Sequence, residues 1–215
     1  MANHVQNYIT VEGNDTVIQK FADAVADNTV GREIKGFNSE ETFTIQEHVC
    51  IDELSFMPKY DEDDNYNWYC NNVGAKWAHI EDGSYDYINI VSAWSPVSEF
   101  CGKLIEYLGQ FDKNVLIRHQ YEDEFRNFFG VQILWVDDEG TAEYDHYEME
   151  DDEYLEECLE KFPKWDDEDY DIWDYDEELD CCPCEVMDDF VFQWMDQQWE
   201  DLVSPFRNRE ENQTV

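Results

Sequence analysis

Three cysteines near the end of the chain have a spacing that could support redox chemistry or zinc binding. Cys181 and Cys184 form a C-x-P-C sequence directly before a predicted helix, which is the arrangement of thioredoxin-like dithiols. With Cys158 as the fourth ligand, the three cysteines of this motif, Cys181, Cys182 and Cys184, could hold zinc. The surrounding acids, such as Asp180 and Glu185, raise the pKa of a thiol and therefore disfavour the reactive thiolate.

We therefore expect all seven cysteines to be reduced thiols, and a zinc or redox module built on Cys181 and Cys184 remains an alternative. The first residues, Met1 to His4, lack the basic and apolar stretches of an export signal. From this we expect a cytoplasmic protein, in a compartment that keeps thiols reduced.

Other residue patterns that could carry chemistry are weak. Asp167, Asp169, Asp171 and Glu178 fit four ligand positions of a calcium-binding EF-hand loop, but Ile172 stands where that loop requires glycine. The sequence contains no Walker A loop, no G-x-S-x-G, no H-E-x-x-H and no G-x-G-x-x-G. We therefore expect neither an enzyme nor a protein with a bound metal or cofactor.

The charge of the chain limits its partners. It has 54 acidic and 13 basic side chains, a formal net charge of −41. Such a protein should not bind nucleic acid directly, nor an anionic membrane surface. The chain also has 8 Trp, 13 Tyr and 13 Phe, which is enough aromatic material for a folded core.

The apolar periodicity predicts an α+β protein. Strands are expected at 4–12, 43–51, 85–91 and 114–121, with a hairpin at 128–136 and 142–147. Helices are expected after Asn14, which can cap the first of them, and from Pro96. The resulting order, β-α-β-β-α-β and then a hairpin, is typical of a ferredoxin-like antiparallel sheet with two helices.

An acidic and mainly helical extension is expected to pack on this sheet. Residues 137–201 contain 29 acids and only 2 bases. Helices are predicted at 150–162 and 185–203, with an ordered loop at 165–180 between them. We divide the chain into a ferredoxin-like domain, 1–147, and an acidic helical extension, 148–215.

Three segments resemble a known family. Residues 2–7 read ANHVQN, Trp68 is followed by NVGAKW at 72–77, and residues 92–97 read SAWSPV. In these segments the chain resembles the YubB-like ferredoxin-fold family of phage- and plasmid-encoded proteins, over about residues 1–136. The resemblance implies the fold and an origin on a mobile element, but it supplies no catalytic residues.

Two of these segments invite opposite interpretations. The pieces Gly74-Ala75-Lys76-Trp77 and Trp94-Ser95-Pro96 could border a binding cleft. The simpler expectation is packing, in which Ser95 caps a helix, Pro96 lies in its first turn and the two tryptophans fill the core.

The concentration of acids in one third of the chain favours nucleic-acid mimicry. Clustered like charges destabilise a compact protein. If the acids served only solubility, an even distribution over the surface would therefore destabilise the protein less. Duplex DNA carries two phosphates per base pair, so the net charge of −41 equals that of about 20 base pairs. Carboxylates on a helical frame can occupy the Lys and Arg sites of a DNA-binding protein.

We therefore expect a phage or plasmid protein that acts as a DNA-mimic inhibitor. It would occlude, stoichiometrically, the nucleic-acid site of a basic host defence protein such as a restriction or CRISPR nuclease complex. An alternative is a generic acidic scaffold or chaperone-like binder of basic proteins. The partner-binding acids are predicted to be Glu143, Asp145, Glu148, Glu150, Asp151, Asp152, Glu153, Glu156, Glu157, Asp166, Asp167, Glu168, Asp169, Asp171, Asp174, Asp176, Glu177 and Glu178.

Overall fold

A computed structural model describes residues 3–35, 42–60, 62–161 and 183–213. The strands are β1 (His4–Glu12), β2 (Thr29–Lys35), β3 (Thr42–His48), β4 (Ala78–Ser84), β5 (Tyr87–Ala93), β6 (Leu116–Asp123), β7 (Phe128–Val136) and β8 (Ala142–Glu150). The helices are α1 (Asp15–Phe21), α2 (Asn65–Asn72), α3 (Ser98–Leu108), α4 (Asp151–Lys161) and α5 (Pro183–Gln213). A π-helical turn, Ala22–Ala26, continues α1.

The main sheet is antiparallel and has the strand order β4-β5-β1-β6-β7-β8. The strand predicted at 43–51 forms as β3, but it pairs only with β2 in a separate two-stranded sheet. The strand beside β5 is β4, which the apolar pattern does not indicate. The pattern of β4 is obscured because a register shift between Ile80 and Asp82 interrupts the alternation of buried and exposed residues.

One face of the main sheet is covered by α1 and α3. Helix α3 buries Phe100, Cys101, Leu104, Ile105 and Leu108 against it, as the 3–4 spacing of these residues predicts. Helix α1 begins as expected, because the Oδ1 atom of Asn14 accepts hydrogen bonds from the backbone N–H groups of Thr16 and Val17.

The other face carries α4 and α5. Strand β7 directs Phe129, Val131 and Ile133 at these helices, where they belong to two clusters. Phe129 packs with Met149, Tyr154, Cys158, Val191 and Met195, and Val131 and Ile133 pack with Trp199, Leu202 and Val203. Because β7 is buried on both faces, its sequence FFGVQILWV is an almost continuous apolar run. The aromatic and aliphatic residues of α5 thus serve to bind this helix to the sheet.

The structure extends or corrects several helix boundaries. Helix α5 is longer than the predicted span 185–203, and α3 begins two residues after Pro96, at Ser98. The predicted ordered loop at 165–180 lies outside the described residues. In the part of the chain that the structure describes, no helix has the length and apolarity to cross a membrane.

Candidate functional site

The acids of 143–157 lie on a strand and a helix that are continuous in the chain. Strand β8 is the last strand of the sheet, and α4 begins at the residue after it, Asp151. The described side chains of the predicted interface are exposed, namely Glu143, Asp145, Glu148, Glu150, Glu153, Glu156 and Glu157. We call the β8–α4 segment, residues 142–161, the acidic edge.

Strand β8 distributes its acids over both of its faces. Successive side chains of a strand point to opposite sides, and Met149 is buried under α4 and α5. Glu143 and Asp145 share the face of Met149, whereas Glu148 and Glu150 lie on the face toward α3. These four acids were predicted as one patch, because their faces can be assigned only when the buried side of β8 is known.

Helix α4 has one buried side and one acidic side. Tyr154 and Cys158 are 2% exposed in the core, whereas Glu153, Glu156, Glu157 and Glu160 are exposed. Glu160 was not among the predicted residues, although its spacing of four from Glu156 places it on the same helix face. Asp151 and Asp152 form the first turn of this helix.

The other predicted acids belong to the segment between α4 and α5. Asp166, Asp167, Glu168, Asp169, Asp171, Asp174, Asp176, Glu177 and Glu178 lie outside the described residues. The acidic edge is therefore defined by residues 142–161 alone.

Some acids of α5 are used inside the protein. Asp196 pairs with Arg118 of β6, and Asp188 pairs with Arg126, which lies in the turn after β6. The guanidinium of Arg118 also lies 5.3 Å from the ring centre of Trp199. These pairs hold α5 on the sheet and neutralise Asp188 and Asp196.

The cysteine motif differs from the expectation. Cys184 is disulfide-bonded, so the expected reduced thiol is wrong at this residue, and it does not offer the thiolate that zinc would need. Cys181 lies outside the described residues, and Cys158 is a buried thiol that is not part of a disulfide. Within the described ranges, no group of three or more His, Cys, Asp or Glu side chains is placed to hold a metal.

The two resemblance segments pack directly on each other. The Ser95 hydroxyl donates to the backbone oxygen of Gly74 at 2.7 Å instead of capping α3. Trp94 is 48% exposed, so the expectation that both tryptophans fill the core is wrong. Its backbone is left-handed, with φ 66°, and its indole lies under the Lys76 ammonium, 4.5 Å from the ring centre.

A buried polar network joins these segments to the sheet. Asn7, which is fully buried, donates from Nδ2 to the backbone oxygens of Val5 and Ile90 and to the Ser92 hydroxyl. Its Oδ1 accepts from the backbone N–H of Val97, just before α3, at 3.0 Å. These bonds fix the orientation of the amide.

His119 continues the network toward β8. Its Nε2 lies 3.1 Å from Asn7 Oδ1, and its Nδ1 lies 3.2 Å from the side-chain amide of Gln132. Asn7 Oδ1 and Gln132 Oε1 can both only accept, so the neutral imidazole donates its single N–H to one of these two oxygens. In the sequence, the five histidines are not spaced like metal ligands. The network could not be predicted, because it forms only when the register of the strands brings these residues together.

Burial lowers the pKa of His119 to about 4 from 6.5. Between these pH values the unfolded state binds a proton that the folded state does not. The free energy of unfolding should therefore lose up to about 3 kcal/mol from this group as the pH falls from about 6.5 to about 4. NMR of the imidazole nitrogens should show a neutral His119 ring at pH 5. A ring that titrates near pH 6.5 would contradict the lowered pKa.

No family model, no curated protein and no solved structure matches this chain. The resemblance to the YubB-like family therefore depends on the three sequence segments alone, and the function must be argued from the site.

Proposed function

We propose that this protein is a DNA mimic that inhibits a nucleic-acid-binding protein by occupying its nucleic-acid site. The observation that carries the proposal is the acidic edge, whose described acidic side chains are exposed. Residues 142–161 contain ten acidic residues and one Lys, Lys161. The Lys and Arg side chains of a channel that normally binds phosphates could pair with these carboxylates instead.

The charge density of α4 supports the comparison with DNA. Glu153, Glu156, Glu157 and Glu160 are exposed on one helix. At about 1.5 Å of rise per residue they occupy about 10 Å of helix axis, or about 3.5 Å per charge. A strand of DNA carries one phosphate per about 3.4 Å of axis.

The acidic edge is also held in place before binding. Met149 of β8 and Tyr154 and Cys158 of α4 are buried in a cluster with Phe129 and α5. The ring of Tyr154 makes an edge contact with Phe129, with ring centres 5.4 Å apart. Since the backbone of the acids is already ordered, binding avoids much of the entropy loss that a disordered acidic tail would incur.

A purely protective role explains only part of the charge. Charged residues on an edge strand discourage pairing with other chains, and β8 is such a strand. Helix α4 has no open strand edge to protect, so its four exposed glutamates require another reason. The mimic accounts for both elements.

The nature of the target is proposed from the resemblance and the charge together. A mobile-element origin favours a host defence protein in the cytoplasm, such as a restriction or CRISPR nuclease complex. Inhibition would be stoichiometric, with no turnover, and association would be fast and sensitive to salt.

The proposal includes a ferredoxin-like core in residues 4–123. Strands β6-β1-β5-β4 lie in the order expected for it, and α1 and α3 follow the first and third of these core strands along the chain and cover one face. The hairpin β2–β3 and α2 are then insertions between the first helix and the second core strand. This core supports β7 and β8, and thereby the acidic edge.

The proposal is tested by capture from lysate of the host cell. The full chain is immobilised, and bound proteins are eluted at low and at high salt. We expect one dominant nucleic-acid-binding protein that is retained at low salt and released at high salt. A broad mixture of basic proteins without defined stoichiometry would support the generic acidic binder instead.

A further inference from the structure

A cleft lies beside the acidic edge, on the face of the sheet toward α3. It has a volume of 390 Å³ and is bordered by α3 and by strands β6, β7 and β8. None of the described residues that line it is Lys or Arg, and the charged groups among them are Glu99 of α3 and Glu148 of β8. The cleft therefore presents carboxylates from two opposite walls.

Glu148 is held in position by a residue two strands away. Tyr121 of β6, Gly130 of β7 and Glu148 of β8 are aligned across the sheet. Two strand spacings are about 10 Å, and the Tyr121 side chain crosses this gap so that its hydroxyl donates to Glu148 Oε2 at 2.8 Å. A Cβ atom at Gly130 would lie 2.6 Å from the Tyr121 hydroxyl, so glycine is needed for this crossing.

The Tyr121 hydroxyl remains a donor at physiological pH. Burial and the hydrogen bond to Glu148 raise the pKa of Tyr121 well above its ordinary value. Tyr121 is 3% exposed, so it is a fixed hydrogen-bond partner for Glu148. The side chain of Glu148 also lines the cleft.

Two aromatic side chains of β8, on the same face as Glu148, also line the cleft. Tyr144 and His146 line it together with Gln132, and Tyr144 is 60% exposed. A fixed carboxylate in a cleft that also presents aromatic rings can bind an arginine side chain, because the guanidinium donates hydrogen bonds to the carboxylate while the rest of the side chain packs on a ring. A lysine ammonium would use the charge but not the planar geometry.

We infer that this cleft receives an arginine side chain from the partner protein. The inference rests on the proposed function for the source of the arginine, while the cleft itself is defined by its own residues. Arginines on a DNA-binding protein ordinarily contact phosphates. One of them would enter the cleft while its neighbours contact the acidic edge, which gives the interface a specific anchor besides its general charge.

The cleft is tested first with a small probe. N-acetyl-arginine amide is titrated into the full chain, and binding is followed by the NMR shifts of His146 and Gln132. The control ligand is the citrulline analogue, which has nearly the same shape but no charge. We expect saturable binding of the arginine probe, with an affinity at least about 10-fold higher than that of citrulline.

Two isosteric variants distinguish the effect of a charge inside the cleft from the effect of the overall negative charge. Glu148→Gln removes one charge inside the cleft, and Glu143→Gln removes one from the opposite face of the same strand. We expect the first to weaken binding of the arginine probe about 10-fold and the second to change it less than about 2-fold. Tyr144→Ala, at an exposed position, should also weaken binding of the probe without affecting folding.

Equal binding of arginine and citrulline, or equal losses in Glu148→Gln and Glu143→Gln, would overturn the inference. Failure of the proposed function looks different, because the probe would still bind while lysate capture yields no partner. If the captured partner binds Glu148→Gln as tightly as it binds the unmodified chain, the arginine does not come from that partner and the inference fails, whereas the mimicry stands.

Discussion

Reversing three glutamates on the outer face of α4 is expected to weaken binding of the captured partner strongly. In Glu153→Lys/Glu156→Lys/Glu157→Lys, each carboxylate that would face a basic side chain becomes a like charge. Close charge pairs at interfaces contribute a few kcal/mol each, so we expect the affinity to fall by about 100-fold or more. The slope of log affinity against log salt should fall by about one for each ion pair that the substitutions remove.

The measurement is a binding titration with the captured partner at several salt concentrations. The matched control is Asp27→Lys/Glu33→Lys/Glu53→Lys, which changes the net charge equally at exposed positions outside the acidic edge. We expect the control to retain most of the affinity. Equal losses in both variants would show that only the total charge matters, which is the behaviour of a generic acidic binder.

The stability of the fold should depend strongly on Asn7. Asn7→Leu keeps the size of the side chain but removes its hydrogen bonds to Ser92, Val97 and the backbone of β5. The N–H of Val97 and the ring of His119 then lose a buried partner. At about 1–3 kcal/mol for each unsatisfied group, we expect the free energy of unfolding to fall by about 3–6 kcal/mol, a large part of the total for an ordinary domain.

Urea unfolding of the variant and of a matched control checks this prediction. Asn89 on β5 is the control, because its amide donates to the exposed carboxylate of Glu81. Asn89→Leu should lose less than about 1 kcal/mol. Similar midpoints for the two variants would contradict the role of Asn7 as the connection between the sheet and the start of α3.

Local patterns in the sequence account for the elements whose apolar residues repeat regularly. Strand β1 alternates strictly, α3 has its apolar residues at helical spacing, and Asn14 is a standard N-cap. Strand β4 escaped prediction because Glu81 and Asp82 follow each other at its irregularity. Strand β2 was not predicted because it is exposed along its whole length, so burial did not impose an apolar pattern on it, whereas its partner β3 was predicted.

The candidate site was only partly predictable for a different reason. The segment 143–157 could be predicted as part of the site, because its high density of acids is visible in the sequence alone. The row of Tyr121, Gly130 and Glu148 depends on the register of three strands, and no local pattern encodes that. The same holds for His119 and Gln132, whose pairing across β6 and β7 places a neutral histidine in the core.

Competition between this protein and duplex DNA for the captured partner tests the central claim most directly. Labelled DNA of about 20 base pairs, which matches the net charge of −41, is bound to the partner, and the full chain is titrated in. Mimicry predicts complete displacement at a defined stoichiometry, with an apparent affinity that weakens in proportion to the DNA added. A ternary complex of partner, DNA and this protein would contradict the account, because the acidic edge would then bind somewhere other than the nucleic-acid site.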